Sequence, residues 1–122
     1  MRPVIDWDQL ESLRALQEPD EPDLLEGLIA SFVRDAGPRM ARLGTAVSAR
    51  DLVAARFEAH TLKGSAAQLG AVVLSQAAEQ LEHAAFNGAI DRLPALAEYL
   101  TRSMEDVLAA LASPPFRGGC PI

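Results

Sequence analysis

The feature that most constrains the fold is a stripe of small and aliphatic side chains between residues 51 and 69. Successive residues of an α-helix are rotated by about 100°, so residues three and four apart share one side. The stripe is formed at this spacing by Leu52, Ala55, Ala59, Leu62, Ala66 and Leu69. Because half of these are alanine, a neighbouring helix can approach closely. The sequence therefore predicts a helix whose Leu/Ala side faces the core of a helical bundle.

Four other stretches repeat apolar residues at helical spacing, and helix-breaking or turn residues separate them. They cover approximately residues 8–16, 23–47, 71–86 and 91–111. Asp8 followed by Glu11 matches a capping box, and Asp51 and Asp91 are placed to cap the third and fifth helices. Pro38 lies inside the second stretch and cannot donate a backbone hydrogen bond. We expect it either to kink the helix or to start a new one.

The pattern as a whole predicts an all-α fold. No stretch alternates apolar and polar residues as a strand does, and only 5% of the residues are aromatic, so alanine and leucine must provide most of the packing. We predict an up-and-down antiparallel four-helix bundle with an additional short N-terminal helix. The bundle is assigned to residues 1–112, and the Gly/Pro-rich residues 113–122 are predicted to be a flexible C-terminal tail.

Charge and cysteine content exclude several classes of protein. The net charge is −6, whereas general nucleic-acid binding requires a basic surface. Cys120 is the only cysteine, so neither an internal disulfide nor a cysteine-based metal site is expected. The sequence has no apolar core of a signal peptide and no charge-free run long enough to span a membrane. These observations predict a cytoplasmic protein that binds neither membranes nor nucleic acid.

His60 lies outside the Leu/Ala stripe, about 130° from its centre on the helical projection, and is predicted to be exposed. The residues on its side of the helix are apolar or small: Val53, Phe57, Gly64 and Ala67. An exposed apolar surface beside a histidine is typical of a site where another protein docks. We expect Phe32 and Val33 of the second helix to extend this surface.

The residues around His60 favour phosphoryl chemistry over metal binding. A neutral imidazole is a nucleophile at pH 7, and a phosphoryl group attached to it adds negative charge that Lys63 at position i+3 could offset. Gly64 leaves room for that group or for a partner, although it weakens the helix by about 1 kcal/mol, and Gln68 could add a hydrogen bond. His60 lacks an HxxxH or HxxE partner for a metal, and His83, among polar residues of the fourth helix, is interpreted as solvated.

Residue chemistry alone leaves alternatives open. The helix could carry a phosphorylated histidine, or the bundle could be an interaction module that binds a partner without any phosphate. The dimerising helices of a histidine kinase also present such a histidine, but a kinase needs a nucleotide-binding domain. No Gly-rich phosphate loop and no nucleophilic triad is present in the sequence, which argues against ATP hydrolysis or autokinase activity.

The string HTLKGSAAQLGA, residues 60–71, closely resembles the signature of histidine-containing phosphotransfer (Hpt) domains. The resemblance extends over most of the chain. IDWDQLESLRAL is similar to the opening helix of the family, LLEGLIASFVRDAGPRMARL to its long second helix, and LSQAAEQLEHAA to the helix after the signature. It implies a four-helix bundle in which His60 is the phosphoacceptor, Lys63 steadies the phosphoryl group, Gly64 gives the partner access and Gly70 allows close packing.

The resemblance also implies the function. The protein is expected to accept a phosphoryl group on His60 from a phospho-aspartate of a receiver domain, or from a sensor or hybrid histidine kinase, and to pass it to a response regulator. Val53, Phe57 and Ala67 would contact the receiver. We expect a monomeric phosphocarrier that is not an enzyme, with no cofactor or metal of its own, and with Mg²⁺ held by the receiver. The alternative is a non-phosphorylated helical protein–protein interaction module.

Overall fold

The computed structural model describes residues 4–16 and 24–112. Within them lie the helices α1 (Trp7–Ala15), α2 (Leu24–Ser48), α3 (Leu52–Gln68), α4 (Val72–Phe86) and α5 (Leu93–Leu111), with a 3₁₀ turn at Ile90–Arg92. The described residues contain no β-strand. Helix α3 packs between α2 and α4, and α5 closes the ring between α4 and α2. The predicted four-helix bundle with a short N-terminal helix is confirmed.

The core is built from the predicted stripe of α3 and the facing side of α4. Of the six stripe residues, all but the half-buried Leu52 are at most 1% exposed. Helix α4 buries Leu74, Ala77, Ala78, Leu81, Ala84 and Ala85 against them, and these two helices make the most extensive helix–helix contact in the described part of the chain. Each fully buried leucine stabilises the fold by about 1.5–3 kcal/mol, while the alanines allow the two backbones to approach.

Helix α3 begins at the predicted cap and ends before a glycine. The Asp51 carboxylate accepts a hydrogen bond from the Ala54 backbone N–H at 3.0 Å, which satisfies one of the free donors at the start of the helix. Gly70 follows the helix with φ of +73°, a left-handed conformation that glycine adopts without strain. A three-residue connection, 69–71, then leads directly into α4, so α3 and α4 form an antiparallel helical hairpin.

Two predicted caps are wrong. Helix α1 is capped by Asp6, whose side chain accepts from the Gln9 backbone N–H at 3.1 Å, and Asp8 lies inside the first turn. Asp91 lies in the 3₁₀ turn and does not cap α5, which begins at Leu93; its N-terminus has no side-chain cap, and Pro94 occupies its first turn. Proline fits there because a first-turn N–H has no partner within the helix.

Helix α2 runs without interruption through Pro38, so the expectation of a fresh helix start at this residue is wrong. Pro38 is exposed, and its missing N–H removes only one backbone hydrogen bond of the helix. Residues on both sides of it are buried in the core: Phe32, Ala36, Leu43 and Ala46. Burial of these side chains holds one helical path and outweighs the local preference of the proline.

The N-terminal segment covers the end of the bundle where α3 turns into α4. The Asp6 backbone N–H donates to the Gly70 carbonyl at 2.7 Å, and Gln9 Nε2 donates to the Ala67 carbonyl at 3.0 Å. A Cβ atom at Gly70 would lie 3.0 Å from the Asp6 carbonyl oxygen. The close packing implied for Gly70 is therefore against the chain that precedes α1, not against the next helix.

The predicted C-terminal tail and the domain boundary before it are not tested. Residues 113–122, predicted to form a tail, lie outside the described residues, so the division of the chain at residue 112 stays a prediction. Among the described helices, none is both long and apolar enough to cross a membrane.

Candidate functional site

His60 lies on the outward side of α3, as predicted. Its side chain is 66% exposed, while the preceding residue, Ala59, is completely buried. Val53 and Phe57 lie beside it at 81% and 64% exposure. Gly64, one turn further along, is also exposed, and nothing lies within 4 Å of the position that a Cβ atom would occupy there. The imidazole thus stands on an open, mainly apolar surface.

Helix α4 contributes a residue that the sequence analysis did not assign to the site. Glu82 Oε2 lies 2.8 Å from His60 Nδ1, and its side chain is only 13% exposed. A carboxylate can only accept a hydrogen bond, so Nδ1 must carry the proton in this contact. The other ring nitrogen, Nε2, is then the one with a free electron pair.

Lys63 is bound to the same carboxylate. Its Nζ lies 2.6 Å from Glu82 Oε1, so Glu82 joins the two side chains that α3 presents one turn apart. Burial raises the pKa of Glu82, but hydrogen bonds and charge interactions with Lys63 and His60 outweigh it and lower the pKa below its ordinary value. Glu82 is therefore ionised at neutral pH, which makes it a charged acceptor for the imidazole N–H.

The hairpin geometry explains why Glu82 meets His60 across 22 positions of sequence. From His60 the chain descends about 12 Å to the end of α3 and returns about 15 Å along α4, at 1.5 Å per residue. The two residues consequently lie at nearly the same level. The hydroxyl of Ser75 donates to the Lys63 carbonyl at 3.2 Å, which adds a direct bond between the two helices beside the site.

Comparisons with known proteins identify the family of the chain. The family model for the Hpt domain matches residues 27–112. The chain belongs to the Hpt domain family. The crystal structure of histidine-containing phosphotransfer protein B (HptB) from Pseudomonas aeruginosa PAO1 is similar to it, with a TM-score of 0.82 and 33% sequence identity over 92% of this chain and 94% of that chain. No curated protein sequence gave a significant match.

Membership of this family confirms the predicted function at the level of the domain. The protein is a histidine phosphotransfer intermediate of two-component signalling, and proteins of this family interact with receiver domains and histidine kinases. They carry phosphoryl groups and are not enzymes of the ordinary kind.

Some of the predicted site residues are not brought together in the Hpt bundle. Phe32 is 7% exposed and belongs to the core, so the expectation that it extends the docking surface is wrong: the helical spacing of α2 turns it towards α3. Val33 is exposed, and its part in docking stays a prediction. Gln68 lies about 12 Å along the helix from His60 and lines the groove between α2 and α3, so it is not placed to bond a group on the imidazole.

A second ionic cluster fixes α3 from the opposite side. Glu58 is 9% exposed and lies 3.4 Å from Arg39 Nη1 and 3.3 Å from Arg42 Nε, both on α2. A buried carboxylate is costly without such partners. The cluster therefore adds to the buried Leu/Ala stripe in favouring the rotation of α3 that directs His60 outward. Among the described residues no group of three or more His, Cys, Asp or Glu side chains could hold a metal ion.

A signal for Glu82 is present in the sequence, although not in a local motif. Ala78, Leu81 and Ala85 are buried around it, so position 82 lies at the edge of the apolar side of α4, where a carboxylate is unexpected unless it has a partner. Combining this position with an antiparallel register for residues 51–86 identifies the residue that meets His60.

Proposed function

We propose that His60 is the phosphoacceptor of this Hpt domain and that its Nε2 atom takes the phosphoryl group. The observation that carries the proposal is the 2.8 Å contact between His60 Nδ1 and Glu82 Oε2. It assigns the proton to Nδ1, because the ionised carboxylate has none to donate. Nε2 is left with its electron pair on a side chain that is two-thirds exposed, where the active site of another protein can reach it.

Transfer from a receiver domain requires no proton transfer by a group of this chain. The Nε2 electron pair attacks the phosphorus of the aspartyl phosphate, the bond from phosphorus to the aspartate oxygen breaks, and its electron pair returns to the partner's carboxylate. The new bond joins phosphorus to Nε2, while the proton stays on Nδ1. The ring becomes positively charged as the bond forms, and Glu82 faces that charge with its carboxylate. The reverse step delivers the phosphoryl group to the next aspartate.

Lys63 is proposed to stabilise the phosphorylated state. In the free protein its ammonium group pairs with Glu82. Phosphorylation adds roughly two negative charges at the imidazole, and a lysine at position i+3 has a stem long and flexible enough to move towards them. Glu82 thus keeps Lys63 beside the site until the phosphoryl group arrives.

The open surface around the imidazole is proposed to receive the partner. Val53, Phe57 and Ala67 would contact an apolar part of a receiver domain, and Gly64 would leave space for the partner's backbone above the helix. The chemistry requires no cofactor or metal from this chain, since the Mg²⁺ of the reaction would be held by the receiver's carboxylates. We propose that the protein acts as a monomeric cytoplasmic phosphocarrier without enzymatic activity of its own.

The test labels the protein in two ways. One uses a radiolabelled phosphorylated receiver domain, and the other uses phosphoramidate, a small donor that needs no docking surface. Wild-type protein should acquire acid-labile, base-stable label from both donors, and His60→Gln from neither. The chain has two histidines, and the exposed His83 provides the control: His83→Gln should be labelled like wild type. Label retained by His60→Gln would refute the assignment.

A further inference from the structure

Arg56 and Phe86 form a contact next to the proposed phosphoacceptor that the transfer step does not use. The guanidinium carbon of Arg56 lies 4.4 Å from the centre of the Phe86 ring. Arg56 precedes His60 by one turn of α3, and Phe86 follows Glu82 by one turn of α4. Because the helices are antiparallel, the pair lies about 6 Å along the helix axes from the His60–Glu82 contact.

The contact is on the surface and is not needed for the core. Phe86 is 64% exposed, and Arg56 is exposed as well. A guanidinium stacked on an aromatic face loses rotational freedom, while the N–H groups along its edge remain free to donate. The pairing therefore favours one position of a planar cation beside the docking surface, with its hydrogen-bonding edge available to another molecule.

The exposed charge that α3 presents next to the docking surface is opposite in sign to the net charge of the protein. The net charge is −6, yet the charged side chains of α3 besides the histidine are Arg56, Glu58 and Lys63. Glu58 is buried and paired with two arginines of α2, and Lys63 is paired with Glu82 of α4, so Arg56 is the cation of α3 that lies exposed beside the docking surface. A receiver domain presents the reverse arrangement, since a phosphorylated aspartate and the carboxylates that bind Mg²⁺ form an acidic site. The exposed guanidinium of Arg56 is complementary in charge to such an acidic site.

We propose that Arg56, held in position by Phe86, is a specificity-determining docking residue that binds a carboxylate at the rim of the receiver's phosphorylation site. This inference rests on the proposed function of His60. It differs from the role of Lys63, because Arg56 contacts the partner and not the phosphoryl group. The apolar residues Val53 and Phe57 would supply contact area, and Arg56 would fix the orientation of the partner and favour receivers with a matching acidic group.

The test compares Arg56→Ala, Arg56→Lys and Phe86→Leu with wild type, using receiver domains that exchange phosphoryl groups with the wild-type protein. Arg102 of α5, an exposed arginine paired with Glu98, gives the matched control Arg102→Ala. Transfer is measured as kcat/KM at low and high salt. The lifetime of phosphorylated His60 and the rate of labelling by phosphoramidate are measured in parallel.

We expect Arg56→Ala to lower kcat/KM for the receiver about threefold to tenfold at low salt, with a smaller loss at high salt because the lost interaction is between charges. Arg56→Lys should lower kcat/KM less than Arg56→Ala does. Phe86→Leu should lower kcat/KM when introduced into wild-type protein but not when introduced into Arg56→Ala. Arg102→Ala should match wild type. Phosphoramidate labelling and the lifetime of the phosphohistidine should not change in any of these variants.

Two outcomes overturn the inference. One is an unchanged receiver rate in Arg56→Ala across the panel of receivers. The other is an equal loss with phosphoramidate or a shortened phosphohistidine lifetime, which would place Arg56 on the phosphoryl group. Failure of the proposed function is separate, because His60→Gln would then retain the label that wild-type protein acquires, whatever the receiver rates of the Arg56 variants.

Discussion

Replacing Glu82 with glutamine tests whether the carboxylate supports the chemistry of His60. Glutamine has nearly the same shape, and its amide oxygen can still accept from Nδ1, so the substitution removes the charge that faces the imidazole and, with it, the ion pair to Lys63. A hydrogen bond to a charged group contributes about 1.5–3 kcal/mol and a neutral one about 0.5–1.5 kcal/mol. Only the strengthening of this bond as the imidazole becomes cationic in the transition state changes the rate, and we take it to be about as large as the difference between the two classes, about 1–1.5 kcal/mol. It corresponds to a transfer rate about fivefold to tenfold lower.

The assay measures phosphorylation of His60 by phosphoramidate and by a receiver domain. Both rates should fall by the same factor, because Glu82 acts on the imidazole and not on docking. Glu82→Ala removes the bond entirely, and its rates should fall about tenfold to a hundredfold. The ¹⁵N chemical shifts of the ring should show the proton on Nδ1 in wild type and a larger fraction on Nε2 in both variants.

Glu98→Gln, at an exposed ion pair on α5, is the matched control and should match wild type in rates and ring shifts. The reasoning is refuted if Glu82→Gln is phosphorylated at the wild-type rate with unchanged ring shifts.

Three further predictions concern the backbone and pH. Gly64→Ala should stabilise the protein against urea by about 0.5–1 kcal/mol yet slow transfer from a receiver without slowing phosphoramidate labelling; equal rates with the receiver would show that the site does not need the space. Gly70→Ala should destabilise by about 2 kcal/mol or more because its Cβ would meet the Asp6 carbonyl at 3.0 Å. Gly88→Ala, with φ of +72° and open space around it, should cost only about 1 kcal/mol, and equal losses would contradict the steric argument. The pKa of Glu82 is lowered in the folded protein, so its ionisation stabilises the fold above the unfolded pKa, and this contribution is lost as the pH falls through the folded pKa. The stability of wild type relative to Glu82→Gln should therefore be constant above about pH 6 and decrease below about pH 4. A stability difference that does not change with pH would exclude the coupling.

The helices and the core of α3 could be predicted because they depend on local patterns. The spacing of the Leu/Ala stripe and the cap at Asp51 are properties of neighbouring residues. The errors occur where distant parts of the chain decide. Asp6 caps α1 because its backbone N–H is bonded to the Gly70 carbonyl. Helix α2 continues through Pro38 because core residues before and after the proline are buried. Helical spacing puts Phe32 on the same side of α2 as the buried Leu25 and Ala36, but periodicity alone does not show which neighbouring helix this side meets, since α2 packs against both α3 and α5.

The same division applies to the candidate site. His60, Lys63 and Gly64 lie within two turns of one helix, and the sequence places them together without reference to the rest of the fold. Glu82 reaches the imidazole only through the register of α3 against α4, which follows from the three-residue connection after α3 and from which residues are buried. The sequence therefore predicts that the imidazole of His60 is exposed, but not whether Nδ1 or Nε2 carries its proton.

The alanines of the α3–α4 contact link the fold to the chemistry. Helix axes lie about 8–10 Å apart, depending on the side chains between them, and Ala55, Ala59 and Ala66 together with the alanines of α4 favour the short end of this range. At that separation a glutamate at the edge of α4 reaches the imidazole at 2.8 Å while its stem stays packed. Larger core residues would increase the separation and lengthen this contact. The small residues of the α3–α4 contact therefore also favour the short His60–Glu82 contact that places the proton on Nδ1.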